Sequence, residues 1–228
     1  MKHLYVVVEG ETELAFVNRL LIPYWQSRGL TTHIQGIMIA MKGGGHGFNN
    51  IEHFKQTIEP LLHEKNQPVI TTMIDHYGIN SKQKLPNYEK CTQETDIEKR
   101  ISCMEESLNN VVNEIKPYRF FIPNILRHEM ETLLYADPQQ GFALEKDEIR
   151  DAVLKVCEKF PNIEDINHTP EGAPSKRIMA IYNANGRRYS KPNDGVDIAD
   201  LTGIEAMLGK CPRFKAWVER VIELVAGF

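Results

Sequence analysis

Carboxylates stand in this chain where apolar segments stop. Leu4-Tyr5-Val6-Val7-Val8 runs straight into Glu9-Gly10-Glu11-Thr12-Glu13, and Val69 to Ile74 ends on Asp75-His76-Tyr77-Gly78. A third apolar run, Arg119 to Ile125, leads into Arg127-His128-Glu129-Met130-Glu131. An acid directly after a buried strand must be solvated, paired or bound to something. Converging carboxylates are the hard oxygen donors that Mg2+ or Mn2+ take, so Glu9, Asp75, Glu129 and Glu131 are candidate metal ligands. Glu9 or Glu13 is the candidate to accept a proton if neighbouring acids raise its pKa. Plainer roles compete: Glu11 and Glu13 favour a helix N-terminus, and Asp75 suits the turn before Gly78. His128-Glu129 is not the zinc motif HExxH, because no second histidine lies one turn further on. In a helix Glu129 and Glu131 would diverge, so joint service to one ion requires a loop or a helix start.

Cations lie further along. Pro174-Ser175-Lys176-Arg177 opens a predicted helix, where free backbone donors and two cations suit a phosphate. Lys176 or Arg177 could neutralise a phosphoryl group in a transition state. Arg187-Arg188-Tyr189-Ser190-Lys191 belongs to what reads as an exposed basic loop, Gly186 to Gly195. The glycine-rich stretch after Lys42 is not a Walker A loop, since no Gly-Lys-Ser/Thr follows, though Lys42 could reach a phosphate. The candidate phosphate contacts are therefore Lys42, Ser175, Lys176, Arg177 and Lys191.

The elements that must position these residues read as a parallel sheet. Short, β-branched runs without alternation fit strands buried on both faces. Strands are expected at Leu4 to Val8, His33 to Ala40, Val69 to Ile74 and Arg119 to Ile125. Helical spacing appears over Glu11 to Gln26, Ile51 to Glu64 and Asp96 to Lys116. The alternating order favours an α/β fold with a four-stranded, mainly parallel sheet flanked by helices. Beyond Asp137 no convincing strand appears. Helices are expected at Asp147 to Phe160, Ala173 to Tyr182, Leu201 to Leu208 and Pro212 to Ala226. The expected organisation is an α/β domain over residues 1–136 and a helical cap over 137–228.

Composition narrows the function. With 228 residues and 42% apolar content a sizeable core is available, and a net charge of −4 argues against a basic nucleic-acid clamp. The four cysteines, Cys91, Cys103, Cys157 and Cys211, form no CxxC pair. They fit neither a zinc knuckle nor a disulfide framework, and reduced thiols are expected. No apolar run is long enough for a signal peptide or a membrane span. A cytoplasmic protein with no membrane partner is expected.

Five segments in order carry a resemblance: Val8-Glu9-Gly10-Glu11-Thr12-Glu13, Ile74-Asp75-His76-Tyr77-Gly78, His128-Glu129-Met130-Glu131-Thr132-Leu133-Leu134, Ala173-Pro174-Ser175-Lys176-Arg177 and Cys211-Pro212-Arg213-Phe214. The set resembles a bacterial TOPRIM-like family called domain of unknown function 4276, related to OLD-type nucleases. The resemblance implies a TOPRIM-like fold, Mg2+ or Mn2+ at Glu9 and Asp75, and hydrolysis of DNA or RNA phosphodiesters. It also implies an ATPase partner of the AAA or ABC type in a phage-defence setting, and leaves room for a homo-oligomer. Tyr77 stands where the pattern has a second aspartate, which removes one expected ligand; Glu129 or Glu131 is the replacement by position. The alternative implied by Tyr77 is a degenerate module that regulates a partner ATPase.

Overall fold

Strand formation follows the apolar runs, and every pairing within the sheet is parallel. The computed structural model describes residues 2–41, 43–167 and 172–227. Leu4–Val8 (β1) lies between Ile34–Met38 (β2) and Val69–Asp75 (β3), with Leu4 opposite Ile34 on one side and Val69 on the other. All of β1, and β3 up to Ile74, is buried, as the absence of alternation requires. Phe121–Ile122 (β4) and Ile125–Leu126 (β5) both pair with β3, giving the order β2-β1-β3-β4 with β5 continuing along β3. The expected α/β architecture is present.

The fourth strand departs from expectation by splitting in two. Pro123 has no N–H to give the ladder, and the chain steps out for two residues. The Thr72 side chain bridges the gap: its hydroxyl donates to the Asn124 carbonyl at 2.8 Å and accepts from the Asn124 N–H at 2.7 Å. Pairing then resumes with Ile125 opposite Ile74 and Leu126 opposite Asp75. This step carries the third acidic segment to the end of β3.

Glu11–Phe16 (α1) and Ile22–Ser27 (α2) replace the single helix expected there. A π-helical turn, Val17–Leu21, separates them; Pro23 cannot donate to the carbonyl one turn back, and the widened turn absorbs that loss. Ile51–Leu62 (α3), Tyr88–Thr92 (α4) and Ile97–Ile115 (α5) follow. The rest of the chain is helical: Pro138–Gly141 (α6), Asp147–Cys157 (α7), Pro174–Ala184 (α8), Val196–Thr202 (α9), Ile204–Lys210 (α10) and Pro212–Ala226 (α11). Gly203, with φ +79°, breaks the expected Leu201 to Leu208 helix into α9 and α10. Among the described residues no strand follows Leu126, and no helix is long and apolar enough to cross a membrane.

Two expectations are corrected. Cys91 on α4 and Cys103 on α5 form a disulfide, with Cα atoms 5.5 Å apart, and leave only Cys157 and Cys211 as free thiols. The helices double back on each other, a proximity that the cysteine spacing does not disclose. The segment 186–195 is not a solvated loop throughout. Tyr189 is buried, its ring edge-on to Tyr182 at 5.4 Å, and Lys191–Gly195 forms a π-helical turn leading into α9. A Cβ on Gly195 would stand 2.7 Å from the Tyr189 hydroxyl, so the missing side chain is what admits the ring.

The C-terminal helices share the core of the sheet. Phe214 meets Phe16 edge-on at 6.1 Å, and Trp217 meets Trp25 at 6.0 Å. Trp217 Nε1 donates to the buried Thr71 hydroxyl at 2.8 Å, which donates in turn to the Ile122 carbonyl at 2.7 Å. One hydroxyl thus links α11, β3 and β4. Thr71→Val keeps the shape but leaves a buried donor and a buried acceptor unpaired, so urea unfolding should show a loss of about 2 kcal/mol. A loss below a few tenths of that would mean that the relay does not couple the helices to the sheet.

Candidate functional site

The three acidic segments meet at the carboxyl edge of the sheet, where open α/β folds bind their ligands. Glu9 leaves β1 and Asp75 ends β3, two neighbouring strands. The Asp75 N–H donates to Glu9 Oε2 at 2.9 Å. Asp75 Oδ1 accepts from the Met130 N–H at 3.0 Å, which ties the third segment to the first two. A Cβ on Gly78 would lie 3.5 Å from Glu9 Oε1, so that carboxylate rests against the turn after β3. Glu13 folds back across the start of α1 and accepts from the Gly10 N–H at 3.1 Å.

The third segment reaches the site through a sharp turn. His128 has φ +71°, a left-handed conformation that costs a non-glycine residue about 1–3 kcal/mol. The surroundings enforce it: the Tyr77 N–H donates to the His128 carbonyl at 2.9 Å, and Asn167 Nδ2 lies 3.3 Å from His128 Nδ1. Glu129 then caps a buried 3-10 helix, Met130–Tyr135, with Glu131 in its first turn. Both acids are buried, Glu131 to 1% exposure. Glu129 Oε2 accepts from the Ser175 N–H at 2.9 Å, at the positive end of α8.

One cation sits among them. Lys191 Nζ lies 3.1 Å from Glu131 Oε1 and 3.7 Å from Glu129 Oε1. Burial works to lower its pKa, but Glu131, Glu129 and Asp75 outweigh it and hold the ammonium above the usual lysine range. The acids move the other way. Burial, opposed by the Asp75 N–H and reinforced by Glu13, raises Glu9 to about 7. Burial, opposed by Lys191, raises Glu131 to about 7. Burial and then four facing carboxylates, Glu13, Glu9, Glu131 and Glu129, push Asp75 well above its ordinary value. Burial likewise raises Glu13.

The structure therefore brings together Glu9, Glu13, Asp75, Glu129 and Glu131. Glu11 remains exposed. Among the expected phosphate contacts, Lys191 faces the acids. Lys176 is exposed beside the site, its Nζ 5.7 Å from the centre of the Tyr77 ring. Arg177 donates from Nε to the Gly172 carbonyl at 2.6 Å, and its guanidinium lies over Phe160. The Ser175 N–H donates to Glu129, and its side chain is buried. Lys42 lies outside the described residues. The central place of Lys191 could not be read from the sequence, because it is 60 residues from Glu131 and sits in a run that looks solvated.

Several carboxylates, several of them buried, are the hard oxygen donors that Mg2+ or Mn2+ take, and among the described residues the Lys191 ammonium stands with them. Among the described residues, however, no three His, Cys, Asp or Glu side chains stand in the spacing that holds one ion. The Lys191 ammonium is the cation that the cluster holds.

The sequence profile described as Domain of unknown function (DUF4276) matches residues 8–222. The chain belongs to that family. No curated protein matches this DUF4276 chain. Among solved structures it is similar to the C-terminal region of the Xanthomonas campestris pv. campestris OLD protein, at 14% identity and a TM-score of 0.43, over 97% of this chain and 93% of that one.

In this DUF4276 protein the raised carboxyls fix the sign of a pH effect. A carboxyl whose folded pKa exceeds its unfolded value gives stability that is complete below the unfolded value and lost as pH rises through the folded one. For Glu9 that window runs from 4.5 to about 7. Glu9→Gln keeps an acceptor for the Asp75 N–H but cannot ionise. Its Tm in EDTA should gain on wild type steadily as pH rises from about 4.5 to 7, by the linkage above. A constant difference across that window would show that Glu9 is not held protonated in the fold.

Proposed function

We propose that this protein is a TOPRIM-type, Mg2+- or Mn2+-dependent nuclease subunit that hydrolyses phosphodiesters. The observation that carries this reading is the convergence of five carboxylates from three strand ends around one ammonium. Asp75, Glu9 and one of Glu129 and Glu131 would hold the metal. When bound, it supplies positive charge against the phosphoryl oxygens and acidifies the attacking water. Glu9, poised near neutrality by burial, suits the acceptance of that water's proton, with Glu13 close enough to raise its basicity. Lys176, exposed at the rim, suits contact with a phosphate of the strand. Lys191, paired with Glu131 and Glu129, offsets part of their charge and suits contact with a substrate phosphate.

Two features favour a second reading, in which the same module binds a partner without cutting: Tyr77 in place of an acid, and the lack, among the described residues, of three side chains spaced to hold one ion. Under either reading the proposed partner is an ATPase of the AAA or ABC type, as the family resemblance implies, and the proposed setting is cytoplasmic phage defence.

Calorimetric titration of Mn2+, run beside cleavage assays on DNA and RNA with and without a candidate ATPase, separates the two. For the nuclease, Asp75→Ala and Glu9→Ala each abolish Mn2+ binding, and Asp75→Asn cuts the cleavage rate by at least about 100-fold, given several kcal/mol of charge stabilisation from the ion. Lys191→Met removes the competing cation and tightens Mn2+ binding by about tenfold, or about 1.4 kcal/mol. Absence of Mn2+ binding in both the folded wild type and Lys191→Met contradicts the nuclease and supports the partner-binding module.

A further inference from the structure

Beside the acids, at the same edge of the sheet, lies a cavity of about 460 Å³. That size is within the range of small-molecule sites, about 300–1,000 Å³. The residues that bear on recognition are His76 and Tyr77 after β3, Tyr88 on α4, Arg100 on α5, His128 and Asn167. Resting on the nuclease reading, we propose that this cavity is a nucleobase subsite, which seats a base of the strand whose phosphate lies over Asp75 and Glu129.

Position supports this first. His76 directly follows Asp75 and His128 directly precedes Glu129, so cavity and acid cluster share two stretches of backbone. The Tyr77 N–H to His128 carbonyl bond, 2.9 Å, knits those stretches into a common wall.

The lining chemistry fits a base rather than an apolar ligand. Two tyrosines, Tyr77 and Tyr88, line it, and stacking on aromatic rings is the sequence-tolerant way in which proteins hold unpaired bases. The His76 imidazole can meet the polar edge of a base, and the Asn167 amide, held 3.3 Å from His128 Nδ1, keeps its carbonyl oxygen as an acceptor. Arg100 donates from Nε and Nη2 to the Glu94 carbonyl at 3.0 and 2.7 Å. Because that acceptor is neutral, these bonds orient the guanidinium without cancelling its charge, and it remains suited to a flanking phosphate. Lys176, close to Tyr77, adds a second cation at the rim.

The Cys91–Cys103 disulfide explains how two short walls keep their spacing. Tyr88 and Thr92 lie within a turn of Cys91, and Arg100 and Met104 lie within a turn of Cys103. The bridge therefore joins α4 to α5 at the level of the cavity, a pre-organisation that lowers the entropic cost of binding. Reduction should widen the cavity and weaken binding.

The test is titration of adenosine 5′-monophosphate against ribose 5-phosphate in EDTA, followed by ligand-observed NMR. Adenosine monophosphate should bind at least about tenfold more tightly than the sugar phosphate. Tyr88→Ala should remove that advantage while Tyr88→Phe keeps it, and dithiothreitol should reduce it. Mn2+ binding and the cleavage rate on a small chromogenic diester should be the same in both variants as in wild type. Equal binding of the two ligands, or an advantage that survives Tyr88→Ala, overturns the subsite. A missing Mn2+ signal with base-dependent binding intact instead removes the nuclease reading, so the two failures are distinguishable.

Discussion

The arrangement of this protein turns on one constraint: several carboxylates sit close together at the carboxyl edge of a sheet, and one ammonium stands among them. Like charges this near each other and this poorly hydrated are tolerated only with protons, a counter-cation or both. The structure uses both. Glu9, Glu131 and Asp75 are raised toward protonation, and Lys191 Nζ stands 3.1 Å from Glu131. Backbone donors from Asp75, Met130, Gly10 and Ser175 satisfy oxygens that the lysine does not reach.

That requirement accounts for otherwise odd features of the chain. The split between β4 and β5 at Pro123 carries Glu129 to the end of β3. The left-handed His128 turns it inward. The C-terminal helices deliver the Ser175 donor and Lys191, and Tyr189 and Gly195 interlock beside the lysine to fix its turn. The C-terminal helices, which among the described residues bring Lys191 to the acids, are part of the site and more than a cover for the sheet.

Much of the sheet was legible because its signals are local. Unbroken β-branched runs marked β1 and β3, and the acids that end them marked the edge. Helical spacing located α3, α5 and α11 within a few residues. What escaped was set by distant contacts. The π-helical turn at Val17–Leu21 and the step at Pro123 are local responses to proline whose exact form depends on packing. Cys91 and Cys103 come together only because α4 folds back on α5. Ser175 and Arg177 have the composition of a phosphate site, but distant packing gives the Ser175 N–H to Glu129 and the Arg177 Nε to Gly172. Lys191 looked like one charge in a basic run, and no spacing relates it to acids 60 residues earlier.

Anomalous diffraction from crystals grown with Mn2+ tests the central claim most directly. The account predicts a peak bonded to Asp75 and Glu9, with Lys191 Nζ moved off Glu131. A Lys191–Glu131 pair left intact at saturating Mn2+, with no peak among the five carboxylates, would contradict it and leave the ammonium as the cluster's permanent cation.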